Sequence, residues 1–130
     1  MRHLTRAFAI GALRRGKEIE QFLGGFDQDD AHCIRWAALS PANDQITLYL
    51  SEVVDVGTDT FRDVSEFPPL DPDEETWGKI ITTASSPDEA LDFAEHHIGA
   101  DPDRWVNHGV IGSEYGDYRA ARKQRPTPNS

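Results

Sequence analysis

Apolar and polar residues alternate along residues 45–55, and the alternation predicts a central strand. Ile46, Leu48 and Leu50 take one side, with Thr47, Tyr49 and Ser51 on the other. A period of two is the pattern of a half-buried strand. The phase slips after Leu50, where Glu52 precedes Val53, Val54 and Val56, and a bulge near Ser51 and Glu52 is the expected cause. Gly57-Thr58-Asp59 reads as a hairpin loop. Residues 60–67 read as the returning strand, ended by Pro68-Pro69 because neither proline can donate to a ladder.

Three earlier segments also read as strands: residues 4–13, 17–23 and 33–39. In the second of these, Ile19 and Leu23 face away from Glu18, Glu20 and Phe22. Gly24-Gly25 is expected to break it, before the exposed acidic loop Asp27-Gln28-Asp29-Asp30. Ser40-Pro41-Ala42-Asn43-Asp44 is a turn by composition. Residues 77–84 make a sixth strand candidate.

The helical signal comes later. Ser86-Pro87-Asp88-Glu89 has the form of a capping box with proline at the first helical position. The helix is expected over residues 87–98, stopped by Gly99. Ala90, Leu91, Phe93, Ala94, His97 and Ile98 share one arc; Asp88, Glu89, Asp92, Glu95 and His96 occupy the opposite arc. Asp101-Pro102 is expected to start a second, short helix holding Trp105 and Val106. A third, over residues 113–122, is expected to dock through Tyr115 and Tyr118. Residues 123–130 are polar and read as a disordered tail.

Strands first and helices after give an α+β class. The expected architecture is one domain, residues 1–122. An antiparallel meander of five to six strands fills the N-terminal two thirds, covered by one amphipathic helix and two short C-terminal helices. Its expected core is Phe8, Ile10, Ile19, Ile34, Trp36, Ile46, Leu48, Leu50, Leu91, Ala94 and Ile98. Two of the three tryptophans, Trp36, Trp77 and Trp105, are expected to be substantially buried. The chain has 130 residues, enough for a single core.

Charge adds a second layer. The net charge is −10. Residues 1–25 carry five basic and two acidic groups, and residues 105–130 four and two, so residues 26–104 hold −15. Such a middle repels nucleic acid and anionic membranes and attracts basic surfaces. No apolar run approaches a membrane span. The arginine-bearing N-terminus has no small-residue cleavage site, so it is read as fold rather than leader. A single cysteine excludes an internal disulfide, and a cytoplasmic, reducing setting is expected.

Candidate chemistry is sparse. His96 and His97 are adjacent on a helix and cannot share one ligand sphere. His97, in the apolar arc, is expected to be a hydrogen-bonded core histidine. Asp101, Asp103 and His108 make a loose cluster that capping and dipole roles also explain. The acidic runs at 27–30 and 71–75 lack the glycine and distal glutamate of a calcium loop. His32 and Cys33 are neighbours in a strand, so they point to opposite faces and cannot act together; Cys33 is expected to be buried. No phosphate loop or nucleophile elbow is present.

Two functional expectations follow. The first is a non-enzymatic protein-binding module, of inhibitor, immunity or regulatory type, engaging a basic protein partner. Its acidic surface would be Asp71, Asp73, Glu74, Glu75, Asp88, Glu89, Asp92 and Glu95, with no cofactor and no catalytic residue. The alternative is a small metal- or ligand-binding enzyme with a pocket between sheet and helices near His97, His108 and Asp101, walled by Trp105. Self-association through a strand edge is compatible with either.

Overall fold

The structure, a computed structural model, describes residues 2–58, 60–70 and 79–124. Asp71, Asp73, Glu74, Glu75 and Trp77 lie outside the described residues. The architecture is α+β, with one open antiparallel sheet of five strands. In chain order the elements are α1 (Arg6–Arg14), β1 (Ile19–Gln28), β2 (Ala31–Ala42), β3 (Gln45–Val54), a 3-10 turn (Val64–Glu66), β4 (Lys79–Ala84), α2 (Pro87–His97), β5 (Val106–Asn107) and α3 (Ile111–Gln124). The strand order is β4-β3-β2-β1-β5. Strands β1 to β4 form the expected meander, and β5 adds to the far edge.

Both hairpin turns hold two residues. Asp29 and Asp30 have φ of 52° and 65°, and Asn43 and Asp44 have φ of 53° and 62°. Positive φ at both central residues matches the twist of the flanking strands, and Asn and Asp tolerate it. The acidic run at 27–30 is therefore the tip of a hairpin. Gly24-Gly25 does not break β1. The strand continues with Leu23 bulged out, since Phe22 faces Trp36 and Gly24 faces Arg35.

The first segment is a correction. Residues 4–13 form no strand; α1 occupies them. Ala9, Ala12 and Leu13 are its buried residues, a spacing of three and four that makes one helical stripe. Thr5 caps it by accepting from the Phe8 amide at 3.2 Å, satisfying an orphan donor. Phe8 consequently leaves the core and stands 66% exposed.

The return segment is a second correction. Residues 60–67 form a loop and the 3-10 turn, because Phe61, Val64 and Phe67 recur every third residue rather than every second. The proline pair still joins the sheet edge, with Pro68 as an acceptor and Pro69 in an isolated bridge to Val53. Val54 N donates to Pro68 O at 2.9 Å, and Leu70 N donates to Glu52 O at 3.0 Å.

The phase slip in β3 has a different cause from the expected bulge. Ser51 and Glu52 pair in unbroken register with Trp36 and Arg35. The two faces are covered at opposite ends instead. On one face Ile46, Leu48 and Leu50 pack with Ile19, Leu39, Leu91, Ala94 and Trp105 beneath α1 and α2. On the other, Tyr49 and Val53 pack with Ile34, Trp36, Val64, Phe67, Ile111 and Tyr115 beneath α3 and the 3-10 turn. The bulge lies in the β3–β4 pairing, where Leu48 faces Thr82 and Tyr49 faces Ile80. The expected core is otherwise met, with Ile10, Leu50 and Ile98 partly buried. Of the two described tryptophans, both Trp36 and Trp105 are buried.

Helix α2 starts as expected. The Glu89 amide donates to Ser86 Oγ at 3.2 Å, while the Glu89 carboxylate accepts from Ser85 N at 3.3 Å. No second short helix forms. Asp101 makes a turn, its Oδ1 accepting from the Asp103 amide at 2.8 Å, and Val106–Asn107 pair with Glu20 and Ile19 as β5. Helix α3 docks through Tyr115 and Tyr118 as expected. Tyr115 donates to Asp55, and Tyr118 Oη lies 2.5 Å from His32 Nε2. A Cβ on Gly57 would collide with the Tyr115 ring, and one on Gly25 with the Tyr118 hydroxyl. No helix among the described residues is long and apolar enough to cross a membrane.

Candidate functional site

Glu18, immediately before β1, and Glu20, within it, flank Ile19 and line the same cavity. That cavity is floored by Trp36 and Ala38 of β2. The short β5 lies alongside, and the backbone of His108 donates to Glu18 O at 3.2 Å. This pairing brings the imidazole onto the two carboxylates. His108 Nδ1 is 2.6 Å from Glu18 Oε2 and 3.6 Å from Glu20 Oε1. Gly109, at φ 92°, turns its amide back to donate to Glu20 Oε1 at 2.9 Å. Among the described residues this is the group of three or more metal-ligating side chains within mutual reach.

The trio borders a cavity of about 420 Å³. Trp36, Ala38 and Tyr49 supply its floor, and Ser40, Ser65 and Glu66 complete it. Among the described residues its ionisable lining is three carboxylates and one imidazole, apart from the Tyr49 phenol, with no lysine or arginine. Glu20 is 4% exposed. Burial pushes its pKa above the ordinary carboxyl value, and the neighbouring Glu18 adds to that, while the Gly109 amide and His108 oppose it. A desolvated carboxylate with a charged neighbour, set in a cleft, is the pattern found at functional sites. Trp36 lines the same cavity, and its buried indole Nε1–H has no hydrogen-bond acceptor among the described residues.

The residues expected from sequence are distributed differently. His97 is not a core histidine. It is exposed, stacked on Phe93 at 3.9 Å between ring centroids, and its Nδ1 lies 3.2 Å from Phe93 O. His97 is the last residue of α2, beyond the buried Ala90, Leu91 and Ala94. Asp101 turns its backbone to Gln21, whose side chain both donates to Asp101 O at 2.9 Å and accepts from Asp101 N at 2.6 Å. Of the cluster of Asp101, Asp103, His97 and His108, the structure keeps only His108 at the site, and gives it to Glu18 and Glu20. Trp105 packs under α1 and α2, on the opposite face from the cavity.

The described half of the acidic surface is not bare. Arg6 of α1 lies across α2, with Nη2 at 3.2 Å from Asp88 and 3.0 Å from Asp92, and Nη1 at 3.2 Å from Glu95. Glu89 is engaged with Ser85. Cys33 is fully buried, as expected, and burial raises its thiol pKa, so it stays protonated and unreactive.

Glu18 and Glu20 were legible as two carboxylates on one strand face. Their link to His108 was not, because a two-residue strand leaves no periodic signal. In comparisons with known proteins, no family model, no curated protein and no solved structure matches this chain. The functional reading therefore rests on the geometry of the site.

Proposed function

We propose that this domain is a non-enzymatic binding module for a basic protein partner, and that a cationic side chain of the partner enters the cavity beside Glu18, Glu20 and Glu66. The observation that carries this reading is the cavity's lining of carboxylates over a tryptophan and a tyrosine, with no lysine or arginine among the described residues that line it. Carboxylates pair with ammonium or guanidinium groups, and aromatic faces attract them as well. The α2 face of Asp88, Glu89, Asp92 and Glu95 plays a lesser part, since Arg6 already spans three of these carboxylates. Together with residues 71–75 it contributes long-range attraction, which speeds encounter more than it tightens the complex.

Binding of a fluorescent Lys/Arg-rich tetrapeptide, and capture of partners by the tagged full chain, test this reading. Affinity is expected to fall about ten-fold or more between low and high salt. It is expected to fall again in the Glu18→Gln variant. Binding that ignores salt and survives Glu18→Gln would overturn the proposal. Self-association through a strand edge would use β4, which has no strand on its outer side among the described residues and leaves Ile80 exposed.

A further inference from the structure

We infer that Glu18, Glu20 and His108 form a site for a divalent transition-metal ion of the zinc, cobalt or manganese class, and that this ion competes with the basic partner for the cavity. The competition rests on the cation-capture reading; the metal site stands on its own donors.

The donors are already gathered. One ligand atom from each of the three residues lies within 4.8 Å of the others. A metal held at about 2.1 Å from each donor sets them about 3.0–3.5 Å apart. His108 Nδ1 stands 2.6 Å from Glu18 Oε2 and 3.6 Å from Glu20 Oε1, which brackets that spacing. The positions are held by backbone, not by long side-chain reach. Glu18 and Glu20 flank the start of β1, the β5 pairing and the His108 N to Glu18 O bond set His108 beside them, and the Gly109 amide orients Glu20. Outer-shell bonds of this kind fix ligand orientation.

The donor chemistry selects the class of ion. One imidazole nitrogen with two carboxylates suits zinc, cobalt or manganese; magnesium and calcium favour all-oxygen shells. Three protein donors beside a cavity of about 420 Å³ leave further coordination positions open to water.

Trp36, 8% exposed, also lines this cavity as an aromatic wall, and aromatic faces attract cations. The charge balance also favours a cation, since a single imidazole faces two carboxylates, one of them desolvated.

Binding exchanges bonds in a defined way. Nδ1 and the carboxylate oxygens bond to the ion, and any proton held on Nδ1 leaves to solvent. Affinity therefore rises with pH, and protons are released on loading.

The test is titration of the full chain with Co²⁺, Zn²⁺, Mn²⁺ and Mg²⁺, read by calorimetry, cobalt absorption and proton release. One saturable Co²⁺ or Zn²⁺ site is expected, with Mg²⁺ weaker. Glu18→Gln and His108→Gln are each expected to weaken it by about ten-fold or more. Asp44→Asn, in the β2–β3 turn, is expected to leave it unchanged. His108 is 69% exposed at its side chain, so its replacement leaves the fold intact, and circular dichroism checks this. No saturable binding, or binding indifferent to His108→Gln, overturns the metal site. The same tetrapeptide is titrated with and without saturating Zn²⁺. Peptide binding in a chain that takes no metal overturns this inference and leaves the binding-module reading standing. Metal binding in a chain that takes no peptide supports the metal site and overturns that reading together with the competition. Peptide binding unaffected by bound Zn²⁺ overturns the competition.

Discussion

The two faces of the sheet solve the burial problem differently. Beneath α1 and α2 the contact is made largely by small aliphatic groups: Ala9, Ala12, Ala37, Ala84, Ala90, Ala94 and Ala100, around Ile19, Leu39, Leu48 and Leu91. Small side chains let helices approach a sheet closely, and close packing is where dispersion and transfer energy accumulate. Beneath α3 the contact is aromatic. Phe67 meets Tyr115 edge-on at 5.3 Å, and Phe22 meets Tyr118 at 5.1 Å. The rings of Tyr115 and Tyr118 carry polar atoms into the interface. Asp55, His32 and Glu20 are drawn in with them, and the far end of the face remains open as the cavity. The first face is built for cohesion. The second face gives up some cohesion to keep desolvated polar groups, a trade expected where a fold carries a site.

That contrast can be broken most sharply at Leu91. Its truncation, Leu91→Ala, leaves a cavity in the close-packed face and is expected to cost about 3 kcal/mol, measured by chemical denaturation. Ser40→Ala, at the open end of the other face, is expected to stay within about 0.5 kcal/mol. Equal losses at both positions would erase the distinction between the faces.

Tyr115 sharpens it next. Burial first, and its bond to Asp55 second, push this phenol up to about 12 from 10.0. The folded state thus holds the proton more tightly than the unfolded chain. The stabilisation is complete below pH 10 and is lost as pH rises toward 12, a change on the order of 2–3 kcal/mol. In Tyr115→Phe the slope of stability against pH in that window is expected to flatten. An unchanged slope would show that the phenol is not desolvated as described.

Glu20 gives the smallest effect and the opposite sign. Its folded pKa is raised by burial, so its ionised form is disfavoured in the native state. Its contribution is therefore best below the ordinary carboxyl range and declines as pH rises through the raised value. Glu20→Gln, which mimics the protonated form and can still accept from Gly109, is expected to raise the melting temperature at pH 7 by about 2–4 °C. The gain should shrink toward pH 4. A variant less stable than the parent at pH 7 would show that Glu20 serves cohesion after all.

Local chemistry determined much of this protein from its sequence alone. The alternation in β3, the Asn43-Asp44 turn and the Ser86 cap are each decided by neighbours within a few residues, so they could be read directly. So could the α+β class and most of the core. Tertiary structure decided the rest. Residues 4–13 are compatible with either period, and only the fit of Ala9, Ala12 and Leu13 beneath α2 and beside the sheet made them a helix. The phase change in β3 came from covers laid on opposite faces at opposite ends, which no single strand encodes. His97 followed the helical arc but is the last residue of α2, beyond its buried positions. The site was half visible, as Glu18 and Glu20 on one side of a strand. Its other half, His108, arrived through a two-residue strand nearly ninety positions away, and pairing between distant segments is the information that local pattern does not hold.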